Sequence, residues 1–241
     1  MSVENAHPLL SYNEDWKKNY IHPYLLTKDL QLISTEFEKR GIGIDIHLIP
    51  FFTPFFCNDL IEYATNYPEN KWGSQRHPDY PTYDVELNSI GLGVVYERFL
   101  IEYIYPLLEY IYNERIVDDK TGMPKVLSES FLIHYHPEKS SHLNCHVDSG
   151  EISLNISMND EFNGGGTYFP KYKELIQPQT GWGVAHPAGF SHKHGAKNVL
   201  EGNRFQLVSF IHQSENHPLI RENINKEMQD KMEEKYNVKM S

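Results

Sequence analysis

His146-Val147-Asp148 places two metal-binding side chains two residues apart, so on an extended backbone both project to one side. Two imidazoles and one carboxylate on one face of a metal leave positions open for other ligands, the arrangement of non-haem ferrous sites that activate oxygen. The third ligand must come from another strand. Phe190-Ser191-His192-Lys193-His194 offers two histidines on one side, and periodicity does not choose between them. Arg204 then opens a largely apolar run, Phe205 to Ile211. A planar cation at the head of a buried strand suits the two-pronged grip of a carboxylate. Together these residues describe an open metal site with a cosubstrate acid held nearby. A bare His-x-Asp means little in a chain with 13 histidines; order and β context make the set specific.

Those residues need strands to hold them, and from Ser128 onward the pattern has period two. Phe131, Ile133 and Tyr135 alternate with Leu132 and His134. From Glu151 to Asn159, Ile152, Leu154, Ile156 and Met158 form one face, and Glu151, Ser153, Asn155, Ser157 and Asn159 the other. The first should pack, and the second should meet solvent or line a wet cavity. Gly164-Gly165-Gly166 is a turn before Thr167 to Phe169; Gly181 to Ala185 and Arg204 to Ile211 read as further strands. Short strands separated by turn signals predict a jelly-roll or double-stranded β-helix.

Upstream, Ser34 to Arg40 reads as a short helix ended by Gly41 and Gly43, and Ile44 to Ile49 as a strand stopped by Pro50. Thr53 caps a helix that starts at Pro54. Residues 66–84, with Pro68, Gly73, Pro78 and Pro81, read as a long irregular loop that could wall or cover a site. Tyr96 to Asn113 is a helix with a packing stripe of Phe99, Leu100, Tyr103, Leu107 and Tyr110, kinked by Pro106. Ile220 to Lys239 is a charged helical tail that docks on the core or, alternatively, joins two copies as a homodimer. The expected class is α+β and β-rich: a double-stranded β-helix with flanking N-terminal helices and a C-terminal helix. The plan is an N-terminal extension over 1–44, one domain over 45–213 with its β core at about 128–213, and a tail over 214–241.

The chain of 241 residues is 39% hydrophobic, enough for a real core, and its net charge of −11 excludes a general nucleic-acid binder. Cys57 and Cys145 form no disulfide framework and are expected as free thiols, with Cys145 aimed away from the metal by its neighbour His146. The polar N-terminus carries no signal-like apolar stretch, and no apolar run approaches the roughly 20 residues of a membrane span, so a soluble, cytoplasmic protein is expected.

FLIHYHPEKSSHLNCHVDSGEISLNISMNDEFNGGGTYF followed by GWGVAHPAGFSHKHGAKNVLEGNRFQLVSFIH resembles the iron- and 2-oxoglutarate-dependent dioxygenases, and among them most the catalytic domain of the procollagen lysyl hydroxylases. The likeness extends upstream through IPFFTPFFCNDLIEYA and YPTYDVELNSIGLGVVYERFLIEYIYPLLEYIY, so it covers roughly residues 45–212. In that family the arginine lies ten residues after the last histidine, as Arg204 does after His194, which selects His194 over His192. The resemblance implies that His146, Asp148 and His194 bind Fe(II) and that Arg204 binds the distal carboxylate of 2-oxoglutarate. It also implies that Tyr135 helps hold that cosubstrate, that Asn155 stands near the metal, and that Ser153 and Ser209 line the pocket. The resemblance further implies oxygen as the co-oxidant and ascorbate as the reductant. The substrate implied is a polypeptide, with lysine in a collagen-like sequence first, peptidyl proline second, and a free amino acid or other small molecule third. A non-catalytic jelly-roll module, using the histidines for structural zinc or for nothing, is the reading of a different class; Cys145 is badly aimed for a zinc site, and three ligands plus Arg204 favour an open one.

Overall fold

In the computed structural model, which describes residues 7–33, 45–68, 71–73, 80–113, 116 and 126–213, two antiparallel sheets face each other across a cavity. The strands are β1 (His47–Pro50), β2 (Asp84–Glu86), β3 (Val126–Tyr135), β4 (Leu143–His146), β5 (Ile152–Ser157) and β6 (Phe162–Gly164). They continue with β7 (Thr167–Phe169), β8 (Glu174–Ile176), β9 (Trp182–Pro187), β10 (His194–Ala196), β11 (Val199–Gly202) and β12 (Arg204–Gln213). The large sheet runs β1-β9-β5-β12-β3-β2, the small one β4-β10-β7-β8, and β6 pairs with β11. This is the expected double-stranded β-helix.

Alternation sorts the large sheet's side chains. Leu132, Leu154, Ile156, Ala185, Leu207 and Ile211 face outward into a core shared with Trp16, Phe56 and Phe99 from the helices. Phe131, Ile133, Tyr135, Val208 and Phe210 face the small sheet. The polar face of β5 does not meet bulk solvent: Ser153, Asn155 and Ser157 are all buried, because the small sheet covers that side.

Local expectations hold in part. The strand ends at Pro50 as expected, with Pro50 its last residue, paired with Trp182; β1 is an edge strand, where a missing N–H costs no ladder bond. Thr53 does cap the helix Pro54–Thr65, its side chain accepting from Phe56 N–H. The helix expected over 96–113 runs as Gly93–Phe99, a wide π turn over Leu100–Ile104, and Tyr105–Tyr112. Pro106 has no N–H to continue the regular ladder, and the wide turn just before it lets Tyr105 N–H reach back to Leu100 O. Phe99, Leu100, Tyr103 and Leu107 are buried as expected; past the wide turn the buried face also takes in Ile104 and Leu108 and leaves Tyr110 51% exposed.

Residues 7–33, expected as an extension, instead join the main core. Trp16 meets Phe56 edge-on at 5.8 Å and donates its indole N–H to Leu9 O. In the stretch expected as loop, Trp72 stacks on Tyr83 at 5.3 Å, and Asp84 begins strand β2 against β3. The helix expected at 34–40, Ile44 and the tail from residue 214 lie outside the described residues. Cys57 is buried, Cys145 is exposed, and both are free thiols. Among the described residues no helix is long and apolar enough to cross a membrane.

Candidate active site

Strands β4 and β10 of the small sheet bring the metal-binding side chains together. His146 ends β4, His194 begins β10, and the two are register partners. Asp148 follows two residues after β4. One ligand atom from each of the three lies within 4.8 Å of the others. His146 Nδ1 is 2.9 Å from Asn144 O, and His194 Nδ1 is 3.0 Å from His192 O. Each Nδ1–H therefore donates to backbone, which leaves each Nε2 as a lone pair. Asp148 Oδ1 lies 3.0 Å from His146 Nε2 and Oδ2 3.5 Å from His194 Nε2, yet neither buried oxygen makes a hydrogen bond.

Burial works to raise the Asp148 carboxyl, but in their protonated forms the imidazoles of His194, His146 and His186 hold it well below the usual range. Burial lowers His194 in spite of Asp148; at His146 the carboxylate outweighs burial and raises it. With both imidazoles neutral, two lone pairs and a carboxylate converge at 3.0 and 3.5 Å, and only a proton on one Nε2 would satisfy the carboxylate among the described residues. A divalent cation resolves that arrangement, and the N/O donor set fits ferrous iron.

His192 is outside the set. Its ring stacks on His186 at 6.0 Å, Nε2 meets Tyr172 Oη at 3.3 Å and Nδ1 meets Ser191 Oγ at 2.9 Å. Strand parity failed to separate the two histidines because Phe190–His192 is a 3-10 turn and the strand starts only at His194.

His186, not singled out in the sequence, stands fully buried beside the ligands, its Nε2 4.0 Å from Asp148 Oδ2. It is not a fourth ligand. Its Nδ1–H donates to Pro187 O at 2.9 Å, and its Nε2 accepts from Asn155 Nδ2 at 3.1 Å. Gln206 Nε2 donates to Asn155 Oδ1 at 3.0 Å. Burial, then the charge of His194, pushes His186 down to about 3, so it acts as a neutral acceptor that fixes the Asn155 amide. The available signal was its spacing from Trp182 and Val184, which puts all three on one face of β9.

Arg204 begins β12 opposite Tyr135 and is 2% exposed. Its Nη2 donates to Thr167 Oγ1 at 3.3 Å, its Nη1 has no partner, and its guanidinium lies 5.1 Å from the Tyr135 ring. Burial lowers its pKa, yet a guanidinium stays charged in proteins, so this is a buried cation with an unspent donor. The turn Gly164-Gly165-Gly166 serves it: all three have positive φ, and a Cβ on Gly165 would stand 2.8 Å from Phe162 Cε2 and 3.2 Å from Arg204 Cδ.

Tyr135, Asn155, Thr167 and the metal-binding residues line one cavity of about 160 Å³. Tyr80 stands at it, 39% exposed, its ring 5.2 Å from that of His146. Ser153 shares the face of Asn155 but does not reach the cavity; its hydroxyl is buried without a partner. Ser209 is a correction. It lies on the other face of β12, bonded to Tyr96 Oη at 2.8 Å and Ser130 Oγ at 2.9 Å, because five residues from Arg204 is odd parity.

Gly195 shows how tightly the two ligand strands meet: a Cβ there would stand 2.7 Å from Leu143 O and 3.0 Å from Cys145 N, both backbone atoms of β4. Gly195→Ala is expected to cost about 1–3 kcal/mol through overpacking and to weaken metal binding by separating His194 from His146. Thermal melts and calorimetric Mn(II) titration check this; unchanged metal affinity would show that the strands yield without moving the ligands.

No protein-family model matches the chain. It is 31% identical over 212 residues to the procollagen lysyl hydroxylase and glycosyltransferase of Acanthamoeba polyphaga mimivirus, covering 82% of this chain and 22% of that protein. It is 28% identical over 216 residues to rat procollagen-lysine,2-oxoglutarate 5-dioxygenase 1, covering 84% of this chain and 28% of that protein. The chain thus spans about a quarter of the length of the curated relatives it matches. Among solved structures it resembles a 2OG-Fe(II) oxygenase-family oxidoreductase from Burkholderia pseudomallei (TM-score 0.53, 14% identity, 76% of this chain and 91% of that one). It also resembles a prolyl hydroxylase from Trichoplax adhaerens in complex with a hypoxia inducible factor peptide (TM-score 0.52, 11% identity, 80% and 94%). The structural likenesses establish the fold as a double-stranded β-helix.

Proposed function

We propose that the chain is an Fe(II)- and 2-oxoglutarate-dependent dioxygenase that hydroxylates a peptidyl side chain, lysine in a collagen-like sequence first. One observation carries the reading. The Asp148 carboxylate, unpaired between two imidazole lone pairs, and the unspent Nη1 of Arg204 serve one cavity, the first directly and the second beside Thr167 and Tyr135. The first needs a cation and the second needs an anion. The sequence relatives, whose names specify lysyl hydroxylation, favour lysine; the prolyl hydroxylase likeness is one of fold alone.

When bound, iron with 2-oxoglutarate and oxygen supplies the oxidation: one oxygen atom enters a substrate C–H bond, the other enters succinate, and carbon dioxide leaves. The residues supply position. His146, Asp148 and His194 hold the metal from one side and leave its other side to the cavity. Arg204 grips the distal carboxylate. Burial pushes the Tyr135 phenol up to about 12, so its hydroxyl stays protonated and can donate to the same acid. The Asn155 amide, fixed by Gln206 and His186, lines the same cavity as the metal-binding residues. Phe131, Ile133, Val208 and Phe210 keep water from the reacting carbon. Tyr80 and Thr82 wall the cavity on the substrate side.

The test is an incubation with Fe(II), ascorbate and 2-oxoglutarate against lysine- and proline-containing collagen-like peptides, read by succinate release and peptide mass. The expected result is succinate together with one added oxygen on the lysine peptide. Oxygen on proline alone would move the substrate to the second reading, and metal-loaded protein that never forms succinate would end the dioxygenase reading.

A further inference from the structure

Beyond the metal and the cosubstrate end, Thr82 and Asp84 form a built polar pair at the cavity wall. Thr82 lines the cavity, is 4% exposed, and donates its hydroxyl proton to Asp84 Oδ2 at 2.5 Å. Asp84 is itself 5% exposed and sits one hydrogen bond behind the cavity wall. The pair is held in place by backbone. Asp84 N and O both bond Gly73 at 3.0 Å, and Tyr83 O accepts from His134 N at 2.9 Å.

A hydroxyl that has given its proton to a carboxylate presents only lone pairs to whatever lies in front of it. Thr82 is therefore an acceptor towards the cavity, polarised by a buried negative charge. The field of Asp84 reaches inward: after burial, and against Arg204, it helps keep the Tyr135 phenol protonated. Of the neighbouring amide groups, Asn155 Oδ1 is taken by Gln206 Nε2 and one Asn155 N–H by His186. The remaining wall, Phe131, Ile133, Leu143 and Val208, suits an aliphatic stem. An apolar channel with a charge-backed acceptor fits a straight carbon chain that ends in an ammonium group. It has no use for the ring of a proline, which brings no donor.

We propose that Thr82, backed by Asp84, recognises the ε-ammonium of a lysine substrate and is the specificity determinant of this cavity. The assignment deepens the dioxygenase reading and rests on it for turnover, but not for binding.

The test uses two collagen-like peptides identical except for lysine or norleucine, which keeps the stem and removes the ammonium. Binding to Mn(II)- and 2-oxoglutarate-loaded protein and kcat/KM with iron are measured for the native chain, Thr82→Val, Thr82→Ser and Asp84→Asn. Melting curves confirm that each variant is folded. The native preference for lysine should be roughly tenfold to a hundredfold, the range of a hydrogen bond to a charged group. It should fall to near unity in Thr82→Val, fall in Asp84→Asn and return in Thr82→Ser, with 2-oxoglutarate affinity unchanged throughout. Equal binding of both peptides by the native chain, or an undiminished preference in folded Thr82→Val, overturns the assignment. Weaker 2-oxoglutarate binding in Thr82→Val also overturns it, by giving Thr82 to the cosubstrate. A native chain that prefers the lysine peptide yet never oxidises it would end the dioxygenase reading and retain the ammonium site.

Discussion

Asp148→Ala is expected to abolish 2-oxoglutarate turnover and weaken metal binding by on the order of 10²- to 10³-fold, with little change in the stability of the metal-free fold. Both carboxylate oxygens are buried without a hydrogen bond, so the folded chain gains no such bond from them. Their attraction to His146 at 3.0 Å and His194 at 3.5 Å requires a protonated imidazole; at a pH where both rings are neutral, only the desolvation of a carboxylate that is 8% exposed remains. The metal-free variant should therefore unfold within about 1 kcal/mol of the native chain, well short of the roughly 3–5 kcal/mol lost when a structural buried pair is broken. A cation changes the balance, because it gives the carboxylate and both Nε2 lone pairs a common partner. Added Mn(II) should then raise the melting temperature of the native chain and not that of the variant. Denaturant melts with and without metal separate the two roles. A large loss of metal-free stability, with metal affinity kept, would make Asp148 a structural ion-pair residue.

The large sheet was legible because period two is a strong signal where one face meets helices and the other a cavity. The alternation of Leu132 with Phe131 and Ile133 sorts between the two cores as read. The same rule, carried five residues from Arg204, puts Ser209 behind the sheet and Gln206 in the cavity; likeness to a family had placed Ser209 at the pocket instead. His146 and Asp148 were legible as a pair because they share one local segment. His194 was not separable from His192 by parity, since a 3-10 turn intervenes that leaves no periodic mark. The partnerships of Arg204 with Thr167 and of Asn155 with His186 join residues 37 and 31 positions apart, and no local pattern encodes them. Trp16 and Tyr20 looked like parts of a polar extension because their helix, Glu14–Tyr20, is too short to show an apolar stripe. They are nonetheless buried against Phe56.

Arg204→Met should raise the KM for 2-oxoglutarate by roughly 10²- to 10³-fold, the loss expected when one member of a buried charge-assisted pair is removed. Without cosubstrate the same exchange should leave the melting temperature unchanged or higher. The native guanidinium is 2% exposed, leaves Nη1 without a partner, and is opposed by burial, whereas a methionine fills similar space beside Tyr135 and Phe162 without a charge to desolvate. A residue kept only for the fold would behave in the opposite way. Arg204→Lys keeps the charge but presents a point instead of a fork, so it should recover only part of the cosubstrate affinity. The decisive measurement is a pair of melts of the Mn(II)-loaded protein with and without 2-oxoglutarate. The native chain should gain stability from the cosubstrate, and Arg204→Met should gain almost none. Equal gains would remove Arg204 as the carboxylate anchor and leave its buried charge to be explained by Thr167 and the Tyr135 ring alone. Those two contacts are too weak to hold a desolvated cation, which is why an anionic cosubstrate is the better account of that end of the cavity.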